Sequence, residues 1–461
     1  MPSSTQRLCS LPYFQDSATL FSVIASQPWA VFLDSGYPHC KQGRYDILAA
    51  EPRCTLVTQG DVTQITCDGV TQTSGADPFE LVKQQLADYS HEAHGLPFNG
   101  GAIGYFAYDL ARRLEKLPAL AEDAEHIPEM AVGIYDWAVV VDHQQQTTHL
   151  IAQHCDETKW QMLLNQFSRP PVEPAPTDFK VLGPVTANMD KQAYGAAFNK
   201  IKRYLKEGDC YQVNLAQRFV APCEGDPWVA YQALRKLNAA PFSCYLTTPD
   251  VQILSSSPER FLKLTNGVVE TKPIKGTRPR GLNDAEDRQH SHDLQHSNKD
   301  RAENLMIVDL LRNDISKTCT SGSVKVPVLF DVESYATVHH LVSTVTGELA
   351  ADKQALDLLK SCFPGGSITG APKIRSMEII EELEPHRRGV YCGAIGYIGF
   401  DGNMDTNIAI RTLVHSAGNI RFWAGGGIVN DSVMEEEYQE CFDKAAAMLD
   451  LLKQLQSSDR R

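Results

Sequence analysis

A surplus of basic charge, long apolar runs, paired-cysteine motifs and a leader-like start are all missing from this sequence. Lys and Arg total 43 against 57 Asp and Glu, a net charge of −14. A protein that binds nucleic acid presents a basic face, so nucleic acid is excluded as a partner. A small anionic substrate is not excluded, because it feels only the local field of its pocket. No stretch reaches the roughly 18 apolar residues of a membrane span. The longest candidate, Met130 to Val141, carries Asp136 and reads as one buried strand, so no membrane partner is expected. Arg7 is the only early basic residue, and Gln15 and Asp16 interrupt any apolar region, so no signal peptide is expected. The 12 cysteines form no C-x-x-C pair, and no His cluster has zinc spacing. They read as reduced thiols of a cytoplasmic protein.

What is present is an ordinary folding composition, 43% apolar and 22% charged over 461 residues. Such a chain buries a large core without disulfide or metal staples. Three regions are expected: 1–168, a linker over 169–189 that opens with the proline-dense RPPVEPAPT, and 190–455. The apolar run 29–33 and Ile134 to Val141 read as strands. Lys191 to Lys206 has helical spacing and stops at Gly208, a plausible C-cap. Strands dominate from there to about 275, and helices follow over about 297–311 and 435–455. Blocks of strands and helices, not regular alternation, favour an α+β class with largely antiparallel sheets. The pentapeptide GAIGY occurs at 101–105 and again at 393–397; it marks either two pseudo-equivalent strands in packed sheets or a coincidence.

Two glycine-rich stretches invite a ligand. FPGGSITG (363–370) almost fits a Walker A loop, but Ala371 stands where its lysine belongs, which rejects an NTPase. A helix starting at Pro372 behind such a loop would offer free N–H groups to an anion. Gly425-Gly426-Gly427 reads as a second loop that permits close backbone approach. Asp300 and Glu303 share a helix face, as do Glu437 and Glu440. Two such faces meeting would give hard oxygen ligands for Mg²⁺, although either pair alone also reads as a solvated face. Lys275, between Ile274 and Gly276 at a strand end, and Glu259, after Ser255 to Pro258, sit where backbone closes on a site. Each also reads as an ion-pair or capping residue.

The segments GDCYQVNLAQRF (208–219), SPERF (258–262), PIKGTRPRG (273–281), AENLMIVDLLRND (302–314), HHLVSTVTG (339–347), PGGSITGAPKIRSME (364–378), YCGAIGYIG (391–399), NIAIRTL (407–413) and AGGGIVNDS (424–432) carry a resemblance. In this order and spacing they are similar to the chorismate-utilising enzyme family. The likeness is strong over about 190–450 and extends more weakly into the N-terminal half through FLDSG (32–36), GRYDIL (43–48), GGAIGY (100–105) and AVGIYDWAVVVD (131–142).

The resemblance implies an α/β sandwich of large sheets with helices outside, and a reaction on chorismate with Mg²⁺ as cofactor. Glu303 and Glu440 match metal-ligand positions, with Asp300 and Glu437 as outer carboxylates. Tyr391 and Arg411 match residues that grip the enolpyruvyl carboxylate. Ser367, Gly425 and Gly427 match carboxylate-binding loop positions. His340 matches a histidine near the ring, and Glu259 the general acid that protonates the departing 4-hydroxyl. Isochorismate and salicylate synthases place a lysine base where Gln212 stands, and anthranilate synthases an alanine where Lys275 stands. The pairing of Gln212 with Lys275 points to the branch that aminates chorismate at C4 on the way to 4-aminobenzoate and folate, with Lys275 as covalent nucleophile; anthranilate formation is the alternative. No G-x-C-x-G elbow with a downstream catalytic His is found, so ammonia is expected from a separate glutamine amidotransferase subunit. The family also implies a tryptophan pocket, matched by Ser35, Gln42, Gly43, Arg44, Tyr45, Pro241, Phe242 and Ser243, with Asp34 as a departure from the pattern.

Overall fold

The computed structural model describes residues 6–87, 89, 95–168, 177–335 and 338–456. The proline-dense start of the expected linker, 169–176, lies outside them. Two large antiparallel sheets, of 13 and 12 strands among the described residues, form a sandwich. Each sheet draws strands from both halves of the chain. In the first sheet Val31–Asp34 pairs with Phe242–Thr247. In the second, Gly101–Phe106 pairs with Ala394–Gly399. That second seam explains the repeated pentapeptide. The two copies are neighbours in one sheet, not members of two packed sheets, and Gly104 lies opposite Gly396. A Cβ at Gly104 would lie 2.1 Å from Ala131 O and one at Gly396 2.1 Å from Asp405 O, so the strands flanking the seam require glycine there.

The apolar run 130–141 is not one strand. It breaks at Asp136: Met130–Tyr135 joins the second sheet and Trp137–Asp142 the first. The charge that marked the run marks its crossing point. Asp136 is buried there and accepts from Lys159 at 3.0 Å. Side chains alternate across Trp137–Asp142. Ala138 and Val140 enter the core between the sheets, whereas Trp137, Val139 and Val141 face the outer helices. Burial on both faces is why the sequence reads as an unbroken apolar run.

Helices cover the outer faces. Glu157–Phe167, Pro227–Leu237 and Met434–Gln454 bury Trp160, Trp228 and Met448 against the first sheet. Pro78–Leu86, Asn298–Ser316 and Ala355–Cys362 pack on the second. Pro227–Leu237 lies in a region where strands were expected to dominate and was not singled out, and Asp284–His296, a polar helix, was not foreseen either. Lys191–Glu207 ends as expected at Gly208, whose φ of 84° suits glycine. The cysteines depart from the reduced-thiol expectation at one place. Cys54 and Cys67 face each other across a hairpin and form a disulfide, while ten described cysteines are free. Thirteen residues of separation hide the pairing from a search for short motifs, because hairpin register alone creates it.

Candidate active site

A cavity of about 770 Å³ opens at one end of the sandwich, a volume suited to a small molecule. All twelve residues assigned to catalysis, substrate or metal line it. They arrive from distant segments, and local irregularities aim several of them. Lys275 lies within the strand Ile274–Pro279, not after a strand end. The register against Val338–Glu348 shifts between Ile274 and Thr277. Gly276 takes φ +80° at this bulge, and a Cβ there would meet the Asp300 carboxyl at 2.8 Å. Glu259 sits just before a second shift, at Arg260, with its backbone oxygen accepting from Ile408 N–H at 3.0 Å. Arg411 has φ 49°, a left-handed backbone uncommon for any residue but glycine, and turns the chain between Met404–Ile408 and Thr412–Ser416.

Ser367 ties the lysine to the acid. Its hydroxyl donates to Glu259 Oε1 at 3.0 Å, and its carbonyl accepts from Lys275 Nζ at 3.4 Å. Burial drives both titrations toward the neutral form. It raises the Glu259 carboxyl, against the lowering pull of Lys275, and lowers the Lys275 ammonium, with Lys444 adding to the effect and Glu303 opposing it. His340 shares a hydrogen bond with Thr277 Oγ1 at 2.9 Å across its strand pair, and burial with the Arg411 charge pushes its imidazole down to about 4. Burial likewise lowers Arg411. Tyr391 stacks on Trp423 at 6.1 Å, and the buried Arg388, paired with Glu384 at 2.7 Å, lies over its ring.

The carboxylates reach the cavity from two helices. Asp300 and Glu303 come from the first turns of Asn298–Ser316, capped by Ser297, and Asp300 is paired with Arg278 at 2.9 Å. Glu437 and Glu440 come from Met434–Gln454. Glu437 accepts from Ser432 Oγ at 2.6 Å, and Glu440 pairs with Lys444, also at 2.6 Å. Burial raises Glu303 and Glu437. At Glu440 burial is overridden by Lys444, which holds the carboxyl below its usual range. A Cβ on Gly426 would lie 3.2 Å from Glu437 Oε2 and 3.3 Å from Glu440 Oε1, so the bare glycine leaves room at these oxygens. Among the described residues no three acidic, His or Cys groups close tightly enough to enclose a metal alone. Mg²⁺ takes only one or two carboxylates together with waters and substrate oxygens, so this all-oxygen set fits it.

Two details differ from the sequence reading. Gly425 to Gly427 lie inside the strand Asn419–Ile428 and are not a loop. The 363–370 stretch reaches the cavity through Ser367 and Ile368, and the following helix begins only at Lys373, outside the cavity lining. Its N-terminus is therefore not the anion site. Asn214, Lys299, Trp423 and Lys444 also line the cavity and were missed. Only Lys444 carried a local signal, its position one helical turn after Glu440.

A second cavity, of about 210 Å³, is lined by all eight residues matched to the tryptophan pocket. Asp34 lines the same cavity, and its carboxylate accepts from Arg235 Nε at 2.8 Å, Tyr231 Oη at 2.9 Å and Gly36 N–H at 2.7 Å. Consecutive residues connect the two cavities, for Glu259 lines the first and Arg260 the second.

Residues 33–450 match the sequence model of chorismate binding enzymes. Aminodeoxychorismate synthase component 1 of Klebsiella aerogenes is 50% identical over 97% of this chain and 99% of that protein. Its counterpart in Escherichia coli strain K12 is 49% identical over 99% and 100%. The crystal structure of anthranilate synthase component I from Streptococcus pneumoniae superposes with a TM-score of 0.77 at 33% identity, covering 88% of this chain and 92% of that one. With an architecture, a cavity and near-full-length relatives in agreement, the chain belongs to the chorismate binding enzyme family.

Proposed function

We propose that this chain converts chorismate and ammonia to 4-amino-4-deoxychorismate, the precursor of 4-aminobenzoate, through a covalent adduct on Lys275. The observation that carries the proposal is the Lys275–Ser367–Glu259 linkage: a buried amine and a buried carboxyl, joined through one serine and both pushed toward neutrality. A neutral amine is a nucleophile and a protonated carboxyl is an acid, and this reaction needs both. Nearly full-length relatives that carry the aminodeoxychorismate synthase name support the choice of branch.

Lys275 Nζ attacks ring C2. The two ring double bonds shift, the bond from C4 to its hydroxyl oxygen breaks, and Glu259 gives that oxygen its proton, so water leaves. The lysine nitrogen sheds the proton made surplus by bond formation. Ammonia then adds at C4 and the double bonds shift back. The C2–nitrogen bond breaks as the lysine nitrogen takes back the proton it shed, so that it departs as a neutral amine, while the Glu259 carboxylate takes the proton that the new amine releases. Tyr391 and Arg411 hold the enolpyruvyl carboxylate, the planar guanidinium matching its two oxygens. Ser367, Gly425 and Gly427 border the ring carboxylate, and His340, kept neutral, lies beside the ring. Glu303 and Glu440, backed by Asp300 and Glu437, would hold Mg²⁺, whose charge neutralises the ring carboxylate when bound.

Ammonia comes in this reading from a separate glutamine amidotransferase subunit, supported by the "component 1" in the relatives' names. A cytoplasmic setting is supported by the ten free thiols, which outnumber the one disulfide, Cys54–Cys67. The second cavity takes an aromatic amino acid of the tryptophan type. The reaction is tested by supplying chorismate, Mg²⁺ and ammonium and identifying the product. 4-Amino-4-deoxychorismate with no pyruvate release supports the reading. Fluorescent anthranilate with stoichiometric pyruvate would overturn it.

A further inference from the structure

One buried cation takes no part in the chemistry above. Arg388 is 2% exposed and lies outside the lining of the larger cavity, between the helix Lys373–Leu383 and the strand Ala394–Gly399. Its guanidinium grips the buried Glu384 at two points: Nε donates to Oε2 at 2.9 Å and Nη2 to Oε1 at 2.7 Å. Taking two charges out of water offsets much of what their attraction returns, so a buried ion pair asks for a local reason other than stability.

That reason lies at a gap in a strand edge. Gln212–Gly225 pairs along one edge with Asn419–Ile428. Along the other it meets Gly370–Ala371 at Gln212 and Val213, then Thr186–Ala187 at Phe219 and Val220, with no strand between these among the described residues. Side chains fill the gap. The Asn214 carbonyl accepts from Arg388 Nη2 at 3.2 Å, and Ala216 N–H donates to Glu384 Oε1 at 2.9 Å. The ion pair stands where a neighbouring strand would, and pairs buried backbone groups that would otherwise be orphaned. The guanidinium also reaches the cavity wall: Nη1 donates to the Ile368 carbonyl at 2.9 Å, one residue past Ser367. The short turn Gly366–Ile368 is thus fastened to the strand through two consecutive carbonyls, Ser367 by Asn214 Nδ2 at 3.3 Å and Ile368 by Arg388. A carboxylate and two carbonyls around one point need donors fanned in a plane, which a guanidinium has and an ammonium lacks.

We propose that Arg388, held by Glu384, is the positioning residue that sets Ser367 between Lys275 and Glu259, an inference that rests on the amination reading above. Ser367 serves that chemistry through two atoms, the carbonyl that accepts from Lys275 and the hydroxyl that donates to Glu259. Both move with the turn, and Arg388 fixes the turn at Ile368. The amine and the acid act on C2 and C4 of one ring, so an error in their spacing falls on the chemical step. Binding is spread wider. Tyr391, Arg411, Gly425 and Gly427 stand on other segments and keep their places when the turn shifts.

The test is steady-state kinetics of the full chain with chorismate, Mg²⁺ and ammonium, on wild type, Arg388→Lys, Ser367→Ala and the double variant, with rates taken per folded molecule. Lysine keeps a cation opposite Glu384 and beside Tyr391, whose ring centre lies 5.7 Å from the guanidinium, but cannot span all three acceptors. Arg388→Lys should lower kcat about 10²-fold, the cost of a misplacement near 1 Å, and hold KM for chorismate within about threefold. In the Ser367→Ala background the same change should lower kcat by no more than about tenfold, because the hydroxyl it aims is gone. A role in folding alone would leave kcat per folded molecule unchanged. A kcat within about threefold of wild type, a chorismate KM that rises as much as kcat falls, or losses that multiply fully in the double variant overturns the proposal. Glu384→Asp, which keeps both charges and shortens the arm that holds Arg388, takes its place with the same expectations should Arg388→Lys not fold. The product made by wild type in the same samples separately judges the amination reading.

Discussion

Replacing His340 with Asn isolates the consequence of burying an imidazole beside a guanidinium. His340 is 5% exposed and is pushed down to about 4, by burial first and then by Arg411, from its ordinary value of 6.5. In the unfolded chain the ring takes up a proton as the pH falls below about 6.5. The folded chain refuses that proton until about pH 4, so stability falls with pH across this window. Between about pH 7.5 and about pH 5 the residue costs the fold about 2 kcal/mol, approaching about 3 kcal/mol at lower pH. Urea melts at the two pH values, with a common m-value, read the difference directly. The loss of stability on acidification should be about 2 kcal/mol smaller in His340→Asn than in wild type. Parallel losses would mean that the folded protein protonates His340 freely, and the neutral ring assigned to the active site would fall with it.

Three further outcomes follow from named contacts. Asp34→Ala strips the buried Arg235 of its main carboxylate partner and should lower stability by about 3–5 kcal/mol, seen as a large fall in melting temperature; a change under about 1 kcal/mol contradicts the ion pair. Glu259→Gln keeps the shape and the contact with Ser367 but cannot deliver a proton, so turnover of chorismate with ammonium should drop by about 10²–10⁴-fold, and a near-normal rate would move the acid elsewhere. Glu440→Gln should raise the Mg²⁺ concentration for half-maximal turnover by at least about tenfold with the melting curve little changed; an unchanged Mg²⁺ requirement removes Glu440 from the ligand set.

The sandwich class, twelve residues of the first cavity and eight of the second were legible in the sequence, whereas the shape of individual elements often was not. Periodicity sees whether a residue is buried but not against which sheet, so the run 130–141 read as one strand although Asp136 hands it from one sheet to the other. Glycines 425–427 look like a loop because their lack of side chains mimics one. They are in-strand positions where a neighbouring backbone or a ligand comes close. Polar helices such as Asp284–His296 have a single buried residue, Leu294, and give no apolar stripe to detect. Lys275 and Glu259 stood out by local context, but their common partner Ser367 is about 100 residues distant in sequence and only the fold brings it between them. Asn214 was invisible for a similar reason: its hydrogen bond crosses from a strand to the short 3₁₀ turn Gly366–Ile368.

The central claim is that Lys275 bonds to the ring, and mass spectrometry of the enzyme itself tests it most directly. The protein is incubated with chorismate and Mg²⁺ in the absence of ammonia, quenched, digested and searched for the peptide containing Lys275. The account predicts that this peptide gains the mass of chorismate less one water, that the adduct disappears when ammonium is added before quenching, and that Lys275→Ala forms none. An unmodified Lys275 peptide, together with a Lys275→Ala enzyme that still makes 4-amino-4-deoxychorismate at the normal rate, would contradict it.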